Sequence, residues 1–294
     1  MKLYAPKYYK NFKCIADKCE HSCCVGWEID IDSATLQKYE ELENGYASLI
    51  KDSISREDTP HFKLSLHDRC PPLDADGLCR IISEFGEDYL CDICREHPRF
   101  YNYTNVAEVG IGMSCEEAAR IILSSADYAS QEEIGEVDAD TEDLCFDGRE
   151  ERREVYGILQ NDSLPYKVRL DKIKEKYCVN EGVDGEWLSL LESLEYLDNS
   201  HKELFMTYSS QLCPKDKDGY LERFLAYFIY RHCTEALDTE DFCSRLSFCL
   251  FCERLFASLI CNKKAETLKE IANLASIISE EIEYSEDNTL TLMN

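Results

Sequence analysis

Across 294 residues the chain holds only 7 Pro, 12 Gly and 2 Trp, and its 32 Lys and Arg stand against 59 Asp and Glu. So little Pro and Gly, beside 44% hydrophobic residues, excludes a collagen-like or disordered polymer and predicts a folded chain. The deficit of basic residues leaves a formal charge of −27, which disfavours binding to nucleic acid or to an anionic membrane through overall charge. A cationic partner, such as a Lys-rich protein segment, is favoured instead. No G-x-S-x-G, P-loop or H-E-x-x-H sequence occurs, which argues against serine hydrolysis, P-loop nucleotide hydrolysis and zincin chemistry. Long uncharged apolar runs are missing too: Phe242 to Ile260 is interrupted by Arg245, Glu253 and Arg254, and reads as a buried or amphipathic helix rather than a membrane span. Met1 to Lys10 has no apolar signal core, so the expected location is cytoplasmic.

What is abundant is cysteine, 17 residues in all. In a reducing compartment such a density reads as thiolate ligands for zinc or an iron–sulfur cluster rather than as disulfides. Cys14, Cys19, Cys23, Cys24, Cys70, Cys79, Cys91, Cys94 and Cys115 lie in the first 115 residues and recur in close pairs. Thiolates two to four residues apart can converge on one metal centre, with more distant ones completing the shell. Nine exceed one four-thiolate site, and all-thiolate sites suit both zinc and iron–sulfur clusters. Lys13, Lys18, Arg69, Arg80, Arg95 and Arg99 beside them form local electropositive pockets that favour deprotonated sulfur. Cys145, Cys178, Cys213, Cys233, Cys243, Cys249, Cys252 and Cys261 read as small buried hydrophobes. His21, His61, His67 and His97 read as solvated loop residues, with His97 the best placed to be a ligand or a proton carrier.

The expected fold is mainly α, with a Cys-rich, loop-rich metal module over 1–127, an acidic linker over 128–148 and a helical domain over 149–294. Gln131 to Gly148 carries eight acidic residues and no Lys or Arg, the signature of a solvated connection. Ala34 to Glu43, Glu150 to Leu159, Ser163 towards Tyr177, Trp187 to Leu197, Leu221 to Leu237 and Phe242 to Cys261 show helical spacing. The acidic tail after Ser279 is expected to fray. Asp74-Ala75-Asp76-Gly77 predicts a tight turn between Cys70 and Cys79. Ser114-Cys115-Glu116-Glu117 predicts a capping box that puts Cys115 at a helix N-terminus. Gly110 and Gly112 in Val106 to Ser114 resemble part of a nucleotide-binding loop, but are read as a turn that brings Cys115 to the metal. Tyr101-Asn102-Tyr103 is read as hairpin or core packing, the alternative being that its rings receive a cation.

The blocks Phe12-x-Cys14-x4-Cys19-x3-Cys23-Cys24-Val25-Gly26-Trp27, Cys70-Pro71-x-Leu73-x2-Asp76-Gly77-x-Cys79, Cys94-Arg95-x2-Pro98-Arg99 and Ser114-Cys115-Glu116-Glu117-Ala118-Ala119-Arg120 together resemble the flagellin lysine-N-methylase family. A looser likeness continues through Arg152-x6-Leu159-Gln160 and Leu164-Pro165-x3-Arg169-Leu170. The family belongs to a wider group of zinc- or iron-chelating cysteine-cluster proteins. The resemblance implies a bacterial cytoplasmic protein that transfers methyl groups from S-adenosylmethionine to lysine side chains of flagellin, with an iron–sulfur cluster, a 4Fe-4S centre foremost, on the cysteines. It assigns no catalytic residue and no position for the methyl donor. The alternative expectation is a non-catalytic zinc- or iron–sulfur-binding module that recruits a basic protein partner.

Overall fold

The computed structural model describes all residues except 21, 44, 140–145, 180–181, 210–214 and 294, so His21, Cys145 and Cys213 lie outside the described residues. Two compact units form, one from Met1–Phe12 with Phe100–Asn294 and one from Lys13–Arg99. The units therefore do not divide at 128–148. Gln131–Glu136, the start of the stretch read as a linker, is a strand, because the backbone of the first residues gives it a partner.

That partner is β1 (Lys2–Pro6). The smaller unit follows with α1 (Ser33–Glu40), α2 (Ala47–Asp52), β2 (Ile54–Ser55), β3 (His61–Phe62), α3 (Arg80–Phe85) and α4 (Asp92–Glu96). The Asp32 carboxylate accepts from the Thr35 amide and starts α1 where the sequence predicts. Asp74 Oδ1 accepts from the amides of Asp76 and Leu78, and Gly77 takes a φ of 81°, closing the turn predicted between Cys70 and Cys79. The unit has its own core around Tyr39, Ile50, Ile54 and Phe62, with Cys70 and Cys91 buried in it.

In the larger unit β4 (Arg99–Tyr103), β5 (Ala107–Ile111), β1 and β6 (Gln131–Glu136) form a sheet in the order β4-β5-β1-β6. Strand β1 runs parallel to β5 and antiparallel to β6. Between β5 and β6 lies α5 (Glu116–Ser124); then come α6 (Gly148–Leu159), α7 (Tyr166–Tyr177), α8 (Asp184–Ser193), α9 (Asn199–Phe205), α10 (Asp218–His232), α11 (Thr239–Lys263), α12 (Leu268–Glu283) and α13 (Glu286–Met293). The predicted helices are present, and the fold is mainly helical. Their shared core is aromatic: Trp187 stacks on Phe251 at 3.8 Å and Phe224 on Phe256 at 4.2 Å. Among the described residues no helix is long and apolar enough to cross a membrane.

Three local expectations fail for identifiable reasons. Residues after Ser279 continue α12 and form α13, because Glu281 and Glu283 are buried hydrogen-bond hubs rather than solvated charges. Glu283 accepts from Tyr227 at 2.9 Å and from His232 at 2.7 Å, with the Arg231 guanidinium 3.3 Å away. The capping box is replaced by an ion pair, since both Glu117 oxygens take bonds from Arg120, although Cys115 does stand at the N-terminus of α5, as expected. Gly110 lies inside β5 rather than in a turn, where a Cβ would meet the Phe100 ring at 2.3 Å, so any larger residue would have to push that ring aside.

Among the described residues the most enclosed ion pair joins the sheet to the helices. Arg152 on α6 donates to both oxygens of Glu108 on β5, at 2.6 and 2.9 Å, and also bonds Thr234. Both side chains are almost wholly buried. Arg152→Met, which strands the Glu108 carboxylate, is expected to cost about 3–5 kcal/mol in urea unfolding. The double change E108Q/R152M should cost less, and equal losses would dismiss the pair as a unit. Burial opposes the charge on Glu283, but Arg231 and His232 outweigh it and hold the carboxyl below its ordinary value of 4.5. The stability Glu283 contributes is thus complete above that ordinary value and lost as pH falls through the lowered one. E283Q should flatten the acid limb of the stability profile.

Candidate functional site

Eight of the nine candidate ligand cysteines fall in the Lys13–Arg99 unit, and Cys115 belongs to the other. Within the smaller unit, backbone pairing sets the first two sulfurs side by side: the Cys70 amide donates to the Cys24 carbonyl at 2.8 Å, next to a bridge between Val25 and Arg69. Cys79 and Cys91 each occupy the residue before a short helix, α3 and α4, and Cys94 follows one turn into α4. Asp32 fixes that end of α4, because its second oxygen accepts from the Asp92 amide at 3.0 Å. Tyr39 lies against the group and donates its hydroxyl to the Tyr89 carbonyl at 2.7 Å.

The electrostatics show which sulfurs sense one another. Cys70 feels Cys24, Cys79 and Cys91, and Cys94 feels Cys91, Cys24 and Cys70. Burial pushes the Cys70 thiol up, and burial also raises Cys79 although the Ile81 and Ile82 amides favour its thiolate. The remaining thiols share protons. A bond with Cys94 lowers Cys91, and the same bond raises Cys94. A bond with Cys23, helped by Ser22 and the Arg69 guanidinium, brings Cys24 down to about 7 against the effect of its burial. Of the six basic residues beside the cysteines, Arg69 thus acts on a thiol of the group.

Cys24, Cys70, Cys79, Cys91 and Cys94 therefore gather, whereas Cys14 is exposed and Cys19 ends a 3-10 turn at Ala16–Lys18. As soft donors, five thiols suffice in number and kind for a zinc or iron–sulfur site. Their positions do not close on one point: among the described residues no group of three or more His, Cys, Asp or Glu side chains is arranged to hold a metal ion. His97 departs from the solvated-loop expectation, since burial pushes its imidazole down to about 4. Sequence reasoning took Tyr39 only as a helix residue and Asp32 only as a cap. Their second contacts arise between segments fifty and sixty residues apart, which no local pattern reveals.

Elsewhere the cysteines read as packing residues behave so at Cys233, Cys249 and Cys252, which are buried, while Cys178 is exposed. Tyr101 and Tyr103 stack on one face of β4 with centroids 6.1 Å apart, and Asn102 between them turns inward to donate to the Tyr230 and Arg231 carbonyls. The hairpin-packing reading thus fits Asn102 and the pair.

Comparison with known proteins gives relatives for part of the chain. The flagellar biosynthetic protein FliU of Salmonella muenchen is 30% identical over 130 residues, 42% of this chain and 77% of the relative. Proteins named lysine-N-methylase from Salmonella choleraesuis and Salmonella typhimurium are each 30% identical over 130 residues, covering 42% of this chain and 32% of theirs. The match thus spans about a third of the length of those two methylases. No protein-family model matches the chain, and no solved structure matches it.

The grouping separates the cysteines by expected effect. In protein purified without oxygen, replacing Cys91 and Cys94 together with Ser should remove most bound zinc or iron, measured by elemental analysis. Cys14→Ser should leave the metal content unchanged. The reverse pattern would put the ligands outside the gathered five.

Proposed function

Because this chain belongs to the flagellin lysine-N-methylase family, we propose that it is a protein-lysine N-methyltransferase. It would act on lysine side chains of flagellin or another Lys-rich protein, with S-adenosylmethionine as donor. The likeness to FliU over 77% of that relative's length carries the reading. The gathered thiols support a metal centre beside it. In this proposal Cys24, Cys70, Cys79, Cys91 and Cys94 are the pool that holds an iron–sulfur cluster, or zinc in its place, after a small local closure of the sulfurs. When bound, the donor supplies a methyl group on a sulfonium, and the lysine nitrogen displaces S-adenosylhomocysteine after giving up its proton.

Physical chemistry divides the work of the chain's own residues. A net charge of −27 draws a lysine-rich segment towards the surface by long-range attraction, which salt weakens. Deprotonation of the amine then needs a place that withdraws it from water, since burial disfavours the ammonium form. The alternative of a non-catalytic metal module with a basic partner shares the first step and lacks the second.

Incubating the oxygen-free protein with flagellin and methyl-labelled S-adenosylmethionine should place label on lysine, read by peptide mass spectrometry. Raising the salt concentration should slow labelling at limiting flagellin. Metal without label on lysine, across several flagellins, would leave the binding-module reading in its place. Iron and acid-labile sulfide near four per chain would mark a 4Fe-4S centre, and stoichiometric zinc in a colourless protein would mark the other metal.

A further inference from the structure

Strand β6 ends one side of the sheet, so among the described residues no strand pairs with its outer edge. Which backbone groups that edge presents follows from the bonds on the inner side. Met1 and Val137 exchange both bonds at 2.9 Å, and the Lys7 amide donates to the Ser130 carbonyl at 3.0 Å. In an antiparallel ladder such bonded pairs alternate with pairs whose amides and carbonyls point away from each other. Lys2 with Glu136, Tyr4 with Glu133 and Pro6 with Gln131 are those alternate pairs. Gln131, Glu133 and Glu136 therefore turn their backbone donors and acceptors to the open side. The register shifts between Leu3 and Tyr4, which makes Ile134, 41% exposed, the extra residue of a bulge.

Edge strands are commonly blunted with charge, most often lysine, which repels an incoming strand that carries the same sign. This edge carries the opposite sign, with Glu132, Glu133, Glu136 and Asp138 in or just after β6 and no Lys or Arg from Gln131 to Gly148. On its inner side β6 already holds an extended lysine-bearing segment. Lys2 on β1 lies 2.7 Å from Glu133, and Lys7 and Lys10, which follow β1, reach Asp127 at 2.9 Å and Glu132 at 3.2 Å. Backbone pairing and ammonium–carboxylate contacts act there together. Glu136 and Asp138 are exposed, and among the described residues neither takes part in an ion pair. A second copy of this chain would bring the same carboxylates to the edge and be repelled, whereas a lysine-bearing strand complements them.

We propose that the open edge of β6 captures an extended lysine-bearing segment of a partner protein as an added strand. The segment's backbone bonds the outward groups of Gln131, Glu133 and Glu136, and its ammonium groups meet Glu136 and Asp138. Ile134 offers an apolar rest for the lysine methylenes. That the partner is a substrate rests on the methyl-transfer reading, whereas the docking itself does not.

Binding is measured without a methyl donor, so its failure is distinct from a failure to label lysine. The probe is a fluorescein-labelled peptide of about eight residues in which Lys alternates with Thr, titrated with the full-length protein and followed by fluorescence anisotropy. A second peptide of the same sequence carries an N-methyl group on every backbone amide, which removes its strand-pairing donors and keeps its charges. The first peptide should bind, and the second should bind at least about tenfold more weakly. Glu136→Gln should weaken the first peptide about threefold, and Glu136→Pro at least about tenfold, because proline also removes an outward amide. The Glu136 amide is not bonded to β1, so both variants should keep the wild-type melting temperature. If Glu136→Pro fails to fold, the two peptides on the wild-type protein decide the matter. No binding of the first peptide, or equal binding of both, would overturn the proposal. So would a dimer in sedimentation that Glu136→Pro dissolves, since the edge would then belong to a second copy.

Discussion

A carboxylate withdrawn from water is tolerated only where cations or hydrogen-bond donors replace its hydration, and the larger unit withdraws several. Glu108, Glu253, Glu281 and Glu283 are all buried, and each bonds an element distant in sequence. Glu108 takes Arg152, fixing β5 to α6. Glu283 takes Arg231 and His232, fixing α12 to α10. Glu281 takes His201 and the amides of Leu197 and Asp198, which holds α9 against α12. Glu253 accepts the Tyr166 hydroxyl, joining α11 to α7, and burial lifts it to about 7. Apolar packing drives these helices together, but it is tolerant of sliding. The buried charges are not, because a displaced partner strands an ion.

This explains which parts of the fold can be read from the sequence. The apolar stripes of α8, α10 and α11 are local and periodic, so helices were legible there without knowledge of any partner. The last helices were not, since a pattern rich in Glu looks solvated until Arg231, His232 and His201 are known to face it. Strand β5 illustrates the same point from the other side. Its five residues are buried together, including Glu108, and its neighbour β1 lies more than a hundred residues earlier in the chain. Pairing at that separation leaves no mark in a local window.

In the cysteine-rich unit the buried groups are weak acids rather than carboxylates, and the outcome differs. A thiol can keep its proton, so the gathered sulfurs reduce their mutual repulsion by sharing: Cys91 is lowered as Cys94 is raised. A bound cation would reverse that order, because coordination deprotonates a thiol outright. Spacing made the pool legible, as Cys91-x2-Cys94 and the Cys70 to Cys79 turn show. Membership was not legible, because it depends on the Cys24 and Cys70 backbone pairing and on Asp32 reaching across to α4.

Under the methyltransferase reading proposed above, the same charge accounting would constrain a lysine substrate. Carboxylates that attract an ammonium also stabilise it, and so hold its proton in place. The acidic exterior therefore suits recruitment and opposes transfer to the nitrogen. Three of the interior carboxylates do not extend that opposition: Glu108 and Glu283 are neutralised by arginines, and Glu281 is occupied by an imidazole and two amides. A lysine carried from the surface into such surroundings would leave uncompensated negative charge behind and lose hydration. Both changes favour the neutral amine. The internal ion pairs secure the helices, and because each removes one charge of either sign, they leave the net charge of −27 as it stands.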